Sequence, residues 1–100
     1  MKHGKFTKWK WLPLYPENII IGKNVDIGAL TLLQGKYGIE IKDNVQIGSH
    51  CAIYSEDTER DIIGKIIIDE NIKIGSHVTI LPRTGYHFIN KNIKAGSVIY

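Results

Sequence analysis

A single cysteine, Cys51, stands in the chain, so no disulfide can form within it and a stapled secreted miniprotein is excluded. Proline is scarce: Pro13 and Pro16 fall near the start and only Pro82 interrupts the remainder, which is free to form regular structure. No apolar run approaches the roughly 20 residues that a membrane span needs. No charged head followed by an apolar stretch and a cleavage site opens the chain either, so the expectation is a cytoplasmic protein without a membrane span. Neither sign of charge dominates. Thirteen basic against ten acidic residues leave +3, with lysines spread along the chain, a balance that suits an anionic small ligand as well as a polymer. One hundred residues with 43% hydrophobic content make one small domain, able to bury about two thirds of its unfolded surface.

The spacing of a helix or a hairpin is missing as well. In its place are three near-copies, Ile19-Ile20-Ile21-Gly22-Lys23-Asn24-Val25-Asp26-Ile27-Gly28, Ile39-Glu40-Ile41-Lys42-Asp43-Asn44-Val45-Gln46-Ile47-Gly48 and Ile66-Ile67-Ile68-Asp69-Glu70-Asn71-Ile72-Lys73-Ile74-Gly75, and a weaker fourth over Phe88 to Gly96. Aliphatics recur six residues apart in each: Ile21 and Ile27, Ile41 and Ile47, Ile68 and Ile74, Ile89 and Ala95. Period six is the mark of a short strand plus a bend, three of which close one triangular coil of about 18 residues. Inward residues then stack on the coil below at about the 4.8 Å strand spacing. Asn24, Asn44, Asn71 and Asn92 share one hexad position, predicted to be a left-handed bend. The reading is an all-β, single-stranded parallel β-helix of about four triangular coils over residues 19–100, with residues 1–18 as an N-terminal cap.

Offsets between equivalent isoleucines locate the irregularities: Ile21 to Ile41 is 20 residues, Ile41 to Ile68 is 27, and Ile68 to Ile89 is 21. The excess in the second interval falls on a loop over residues 54–65, the first place to look for chemistry, since solenoid inserts leave at one corner. Its carboxylates, Glu56, Asp57, Glu59 and Asp61, are candidates for holding an acceptor or serving as a base; they equally suit a solvated loop neutralised by Arg60 and Lys65. His50 and His77 lie in equivalent segments, Gly48-Ser49-His50-Cys51 and Gly75-Ser76-His77-Val78, and are predicted at one corner, a rung apart. A stacked pair invites a metal, with His87 or a neighbouring subunit as third ligand, but spacing fixes no such set and no metal is expected. Cys51, at the small inward position, reads as a packed thiol. Ahead of the repeats, Lys5-Phe6-Thr7-Lys8-Trp9-Lys10-Trp11-Leu12 interleaves bases and aromatics, as nucleic-acid arms and membrane-surface segments do. The reading adopted is a cap in which Trp9, Trp11, Leu12, Leu14 and Tyr15 cover the open end of the helix, with no nucleic-acid partner.

The pattern of aliphatic, Gly, two variable residues and a small residue, from Ile19 to Tyr100, resembles the bacterial transferase hexapeptide-repeat family. Ile72-Lys73-Ile74-Gly75-Ser76-His77-Val78-Thr79-Ile80-Leu81-Pro82 is most similar to its sugar and nucleotide-sugar O- or N-acetyltransferases. That resemblance implies a left-handed β-helix, a homotrimer, and acetyl-CoA as co-substrate lying along the groove between subunits. The matching coenzyme positions are Ser76, Gly96 and Ser97, with Lys94 and Lys91 for its phosphates. It implies an acyl transfer to a sugar or nucleotide sugar in surface-polysaccharide biosynthesis, with a histidine taking the acceptor's proton. The family's loop histidine is absent here, where counting reaches Thr58, and the chain stops at Tyr100 without the family's usual tail. The role therefore falls to His50, with Glu56 or Asp57 expected to orient it and His77 and His87 as substitutes. The alternatives are a non-catalytic trimeric scaffold or a metal site like that of the hexapeptide carbonic anhydrases.

Overall fold

In the computed structural model, which describes residues 1–100, Asn24, Asn44 and Asn71 adopt φ of 57°, 61° and 63°. These are left-handed values that the short Asn side chain tolerates better than most, and each residue turns the chain between two short strands. Repeating the turn stacks the strands into three parallel sheets. The first face holds β1 (Leu12–Leu14), β4 (Leu32–Gln34), β7 (Ala52–Tyr54), β11 (Thr79–Ile80) and β13 (Val98–Ile99). On the second lie β2 (Ile19–Ile21), β5 (Ile39–Ile41), β9 (Ile62–Ile68) and β12 (Gly85–Ile89). The third has β3 (Asp26–Ile27), β6 (Gln46–Ile47) and β10 (Lys73–Ile74), continued by a parallel bridge from Ile74 to Ile93. A 3-10 turn at Pro16–Asn18 is the only helical element, and the architecture is a parallel β-helix of about four turns.

The interior is built from columns of like residues. Ile21, Ile41, Ile68 and Ile89 stand on one another, as do Ile27, Ile47 and Ile74. Leu33, Ile53 and Ile80 form the column of the first face, and all three are fully buried. Each isoleucine or leucine so enclosed contributes about 1.5–3 kcal/mol relative to an exposed one. Thr31 enters this core with its bonds made: its hydroxyl donates to Gly48 O at 2.9 Å and accepts the Cys51 N–H at 3.2 Å. Cys51 is a packed thiol above it, its S–H donating to Gly75 O at 3.1 Å.

The 27-residue interval is a hairpin. Strand β8 (Glu56–Asp57) pairs antiparallel with Ile62 and Ile63 at the start of β9, so the insert leaves one corner and returns without disturbing the Ile39 to Ile66 register. The longer β9 then templates β12 from Gly85 onward, which accounts for the extended corner after Pro82.

Two boundaries differ from the sequence reading. The first strand lies inside the segment assigned to the cap: Leu12, Pro13 and Leu14 pair with Leu32, Leu33 and Gln34. Proline is tolerated there because β1 is an edge strand. Trp11, 6% exposed, packs into the hydrophobic core, whereas Trp9 is 62% exposed and does not. In the fourth coil, Ile93 rather than Ala95 stands over Ile74, because only three residues separate Ile89 from Ile93 where five separate Ile68 from Ile74. Asn92 accordingly has no left-handed φ, and instead its side-chain oxygen accepts the Lys73 N–H at 2.9 Å.

Candidate functional site

Coil length varies at two corners of the triangle and not at the third. Between the third and first faces, four residues separate Ile27 from Leu32, Ile47 from Ala52, Ile74 from Thr79, and Ile93 from Val98. Equivalent residues of this corner are therefore related by a simple translation, and its left-handed position is filled by Leu30, His50, His77 and Gly96, at φ of 62°, 57°, 58° and 79°. His50 and His77 lie on one another as the sequence predicted, ring centroids 4.8 Å apart and planes within 2°. That separation is one strand spacing. Both rings are exposed and neither ring donates or accepts a hydrogen bond within the chain.

The backbone holds the corner firmly. The N–H of His50 donates to Ala29 O at 3.1 Å, that of His77 to Ser49 O at 3.0 Å, and that of Gly96 to Ser76 O at 3.0 Å. Ser76 Oγ accepts the Ser49 N–H at 3.3 Å, and Ser97 Oγ donates to Lys94 O at 2.6 Å. At Gly96 a side chain would meet nothing within 4 Å, so the corner there is open to a ligand. Beside it, along the third face, runs a groove of about 590 Å³ lined by Asp26, Gln46, Lys73, Asn92 and Lys94 and floored by Gly48 and Gly75. His50, Ser76, Gly96, Ser97 and Lys94 are thus brought together. Gln46 and Lys73 were missed in the sequence; their signal is the outward residue before each core isoleucine.

Glu56 and Asp57 do not join them. Strand β7 leads from the histidine corner to the hairpin corner, and the six-residue step from His50 to Glu56 spans one side of the triangle, about 20 Å. Both carboxylates are also engaged. Glu56 lies 3.8 Å from Lys36 Nζ, an attraction that raises the exposed Lys36 ammonium above its usual pKa, with smaller contributions from Tyr37 and Tyr15. Asp57 lies 3.4 Å from Arg60 Nε and accepts the Arg60 N–H. The expectation that either orients His50 within the chain is therefore corrected. Lys65 turns to Glu40 at 3.3 Å rather than to the hairpin.

His87 takes a core position above Ile66, 2% exposed, with Nδ1 2.8 Å from Leu81 O. Because a carbonyl only accepts, that nitrogen carries the proton. Burial pushes the imidazole below its usual 6.5; the Leu81 bond opposes this and the Arg83 charge adds to it. A proton is then bound by the unfolded chain near pH 6.5 that the folded chain refuses until lower pH. Stability is full above that value and falls as pH drops toward the depressed one. His87→Gln, which still donates to Leu81 O, is expected to flatten this part of the thermal-stability profile; parallel wild-type and variant profiles would contradict the assignment. Enclosed in this way, His87 is no accessible base. Nowhere are three His, Cys, Asp or Glu side chains grouped to hold a metal ion.

Comparison with protein-family models, with curated proteins and with solved structures found no match. What fold and site define together is a parallel β-helix with an exposed, stacked histidine pair beside an open groove.

Proposed function

We propose that the protein is an acetyl-CoA-dependent acyltransferase, acting on a hydroxyl or amine of a sugar or nucleotide sugar in surface-polysaccharide biosynthesis, and that it works as a homotrimer. The observation that carries this reading is the unbonded, exposed His50 and His77 pair in one column with Gly96, with Ser76 next to His77 in the chain. The residues present fit the coenzyme. Ser76 and Ser97 offer polar groups to an extended amide chain, Gly96 leaves room, and Lys94 and Lys73 beside the groove meet phosphate charge. Bound there, the coenzyme supplies a thioester-activated acetyl group. His50 takes the proton from the acceptor hydroxyl or amine as that atom bonds to the acyl carbon, and the thiolate departs. No carboxylate of its own chain orients this base. His77 flanks it one rung away, and a neighbouring protomer closes the far side of the groove.

Calorimetric titration with acetyl-CoA, with ATP as control, tests the reading. Affinity on the order of micromolar, with ATP inert, is the expected result. A protein that light scattering finds trimeric and that binds no acetyl-CoA would instead be a non-catalytic scaffold of the same fold.

A further inference from the structure

The charge of the chain is unevenly placed once the fold is known. Residues 1–16 carry four of the thirteen basic residues, Lys2, Lys5, Lys8 and Lys10, and none of the ten acidic ones. The rest of the molecule, with nine basic against ten acidic, is close to neutral. This segment is an ordered structure on the first coil. Gly4 N–H donates to Pro13 O and Thr7 N–H to Trp11 O, both at 2.9 Å, and the Tyr15 N–H donates to His3 Nδ1 at 2.8 Å.

On that support three large apolar side chains face outward: Met1, Phe6 and Trp9, the last two 55% and 62% exposed. They share one surface depression of about 420 Å³ with Lys2, Lys5 and Lys8. Behind Trp9, and also lined by Trp11, Ile21, Val25, Ile27 and a single acid, Asp26, lies a second hollow of about 350 Å³. Apolar tips ringed by ammonium groups on a rigid base are costly to leave in water, and the arrangement calls for an occupant with an apolar layer beneath an anionic one.

We infer that this face docks peripherally on an anionic phospholipid surface, with Met1, Phe6 and Trp9 entering the headgroup boundary and Lys2, Lys5 and Lys8 meeting lipid phosphates and carboxylates. Two observations select this partner over others. Lys8 Nζ sits 4.4 Å from the Trp9 ring centre, occupying one of the two faces on which a nucleic-acid base could stack, whereas a tryptophan at a membrane interface has no need of a free ring face. A second copy docking through the same face would bring two clusters of Lys2, Lys5 and Lys8 together, with only the Asp26 of each hollow to set against them. The inference is independent of the acyl-transfer reading. It places the first coil nearest the membrane.

The test is co-sedimentation of the full chain with vesicles of phosphatidylcholine, alone and with about a third phosphatidylserine, at low ionic strength and at about 0.15 M salt. Binding is expected only with phosphatidylserine, weakening with salt and accompanied by a blue shift of tryptophan emission. Each lysine is worth about fivefold near such a surface, so Lys5→Gln with Lys8→Gln is expected to weaken binding about 25-fold. Trp9→Ser is expected to abolish the emission shift. Lys42→Gln, at an exposed lysine elsewhere, is expected to leave vesicle binding unchanged. Every substituted side chain is exposed, so circular dichroism is expected to match wild type. Failure of the folded protein to bind anionic vesicles overturns the inference, as does equal sensitivity to the distant lysine, or binding to a single-stranded oligonucleotide in place of vesicles.

Discussion

His50→Asn is expected to leave the fold intact and to lower acetyl transfer by about 10²- to 10⁴-fold, the usual range for removing a general base. Asparagine is the informative replacement because the position has φ of 57°, and Asn24, Asn44 and Asn71 already hold such values in this chain. Alanine there would add backbone strain of about 1–2 kcal/mol and confuse a folding defect with a catalytic one. The ring is outside the core, so what the variant loses is the basic nitrogen and the stack on His77. Thiol release from acetyl-CoA in the presence of sugar acceptors reads the effect, and His77→Asn serves as its companion. Unchanged turnover in His50→Asn, with loss in His77→Asn, would move the base up one rung. Unchanged turnover in both would remove the corner from the chemistry.

A large structural effect is expected at Gly48. A side-chain carbon there would lie 2.6 Å from Ser76 N and Oγ and 2.8 Å from Ser76 Cα, inside the backbone of the next coil. That backbone cannot retreat without loss, since Gly48 N–H donates to Ile74 O at 2.9 Å and His77 N–H to Ser49 O at 3.0 Å. Overpacking of this kind costs about 1–3 kcal/mol, and more where backbone is the obstacle. For a domain of this size each kcal/mol is worth about 4–8 °C in Tm, so Gly48→Ala is expected to melt about 10–20 °C below wild type. Gly96→Ala is the control: nothing lies within 4 Å, and only the φ of 79° opposes it, at about 1–2 kcal/mol. Equal melting temperatures for the two variants would mean that the coils are not held at the distance the glycine imposes.

The parts of the fold most legible in the sequence were those that a residue type repeats in every coil. Isoleucine in register gave the columns, and the offsets of 20, 27 and 21 reappear as strand pairings. Two things were hidden for physical reasons. Strand β1 lies outside the near-copies that mark the coils and contains a proline, which an edge strand accepts without losing a ladder bond. In the fourth coil, Asn92 and Ile93 matched Asn71 and Ile72 by type, while the hydrogen bonds of Ile93 to Lys73 and Gly75 set another register. Of the candidate site, the stacking of His50 on His77 was legible because both precede a small core residue by one position. The separation of Glu56 and Asp57 from them was overlooked although the count held it: six residues in this period is one side of a triangle, so a residue and its sixth successor face different corners.

Genetic drift in length has unequal licence around this triangle. The corner between the first and second faces takes five residues in two coils, twelve in the third and six in the fourth, and that between the second and third faces takes five, then three. Codons gained or lost there lengthen or trim a surface turn and leave every column standing. At the histidine corner a single inserted codon would rotate everything after it out of phase, parting His50 from His77 and carrying isoleucines to the outside. Loops for grafting or tagging belong at the hairpin, and a frame of four residues at the other end of β7 is the one to leave alone.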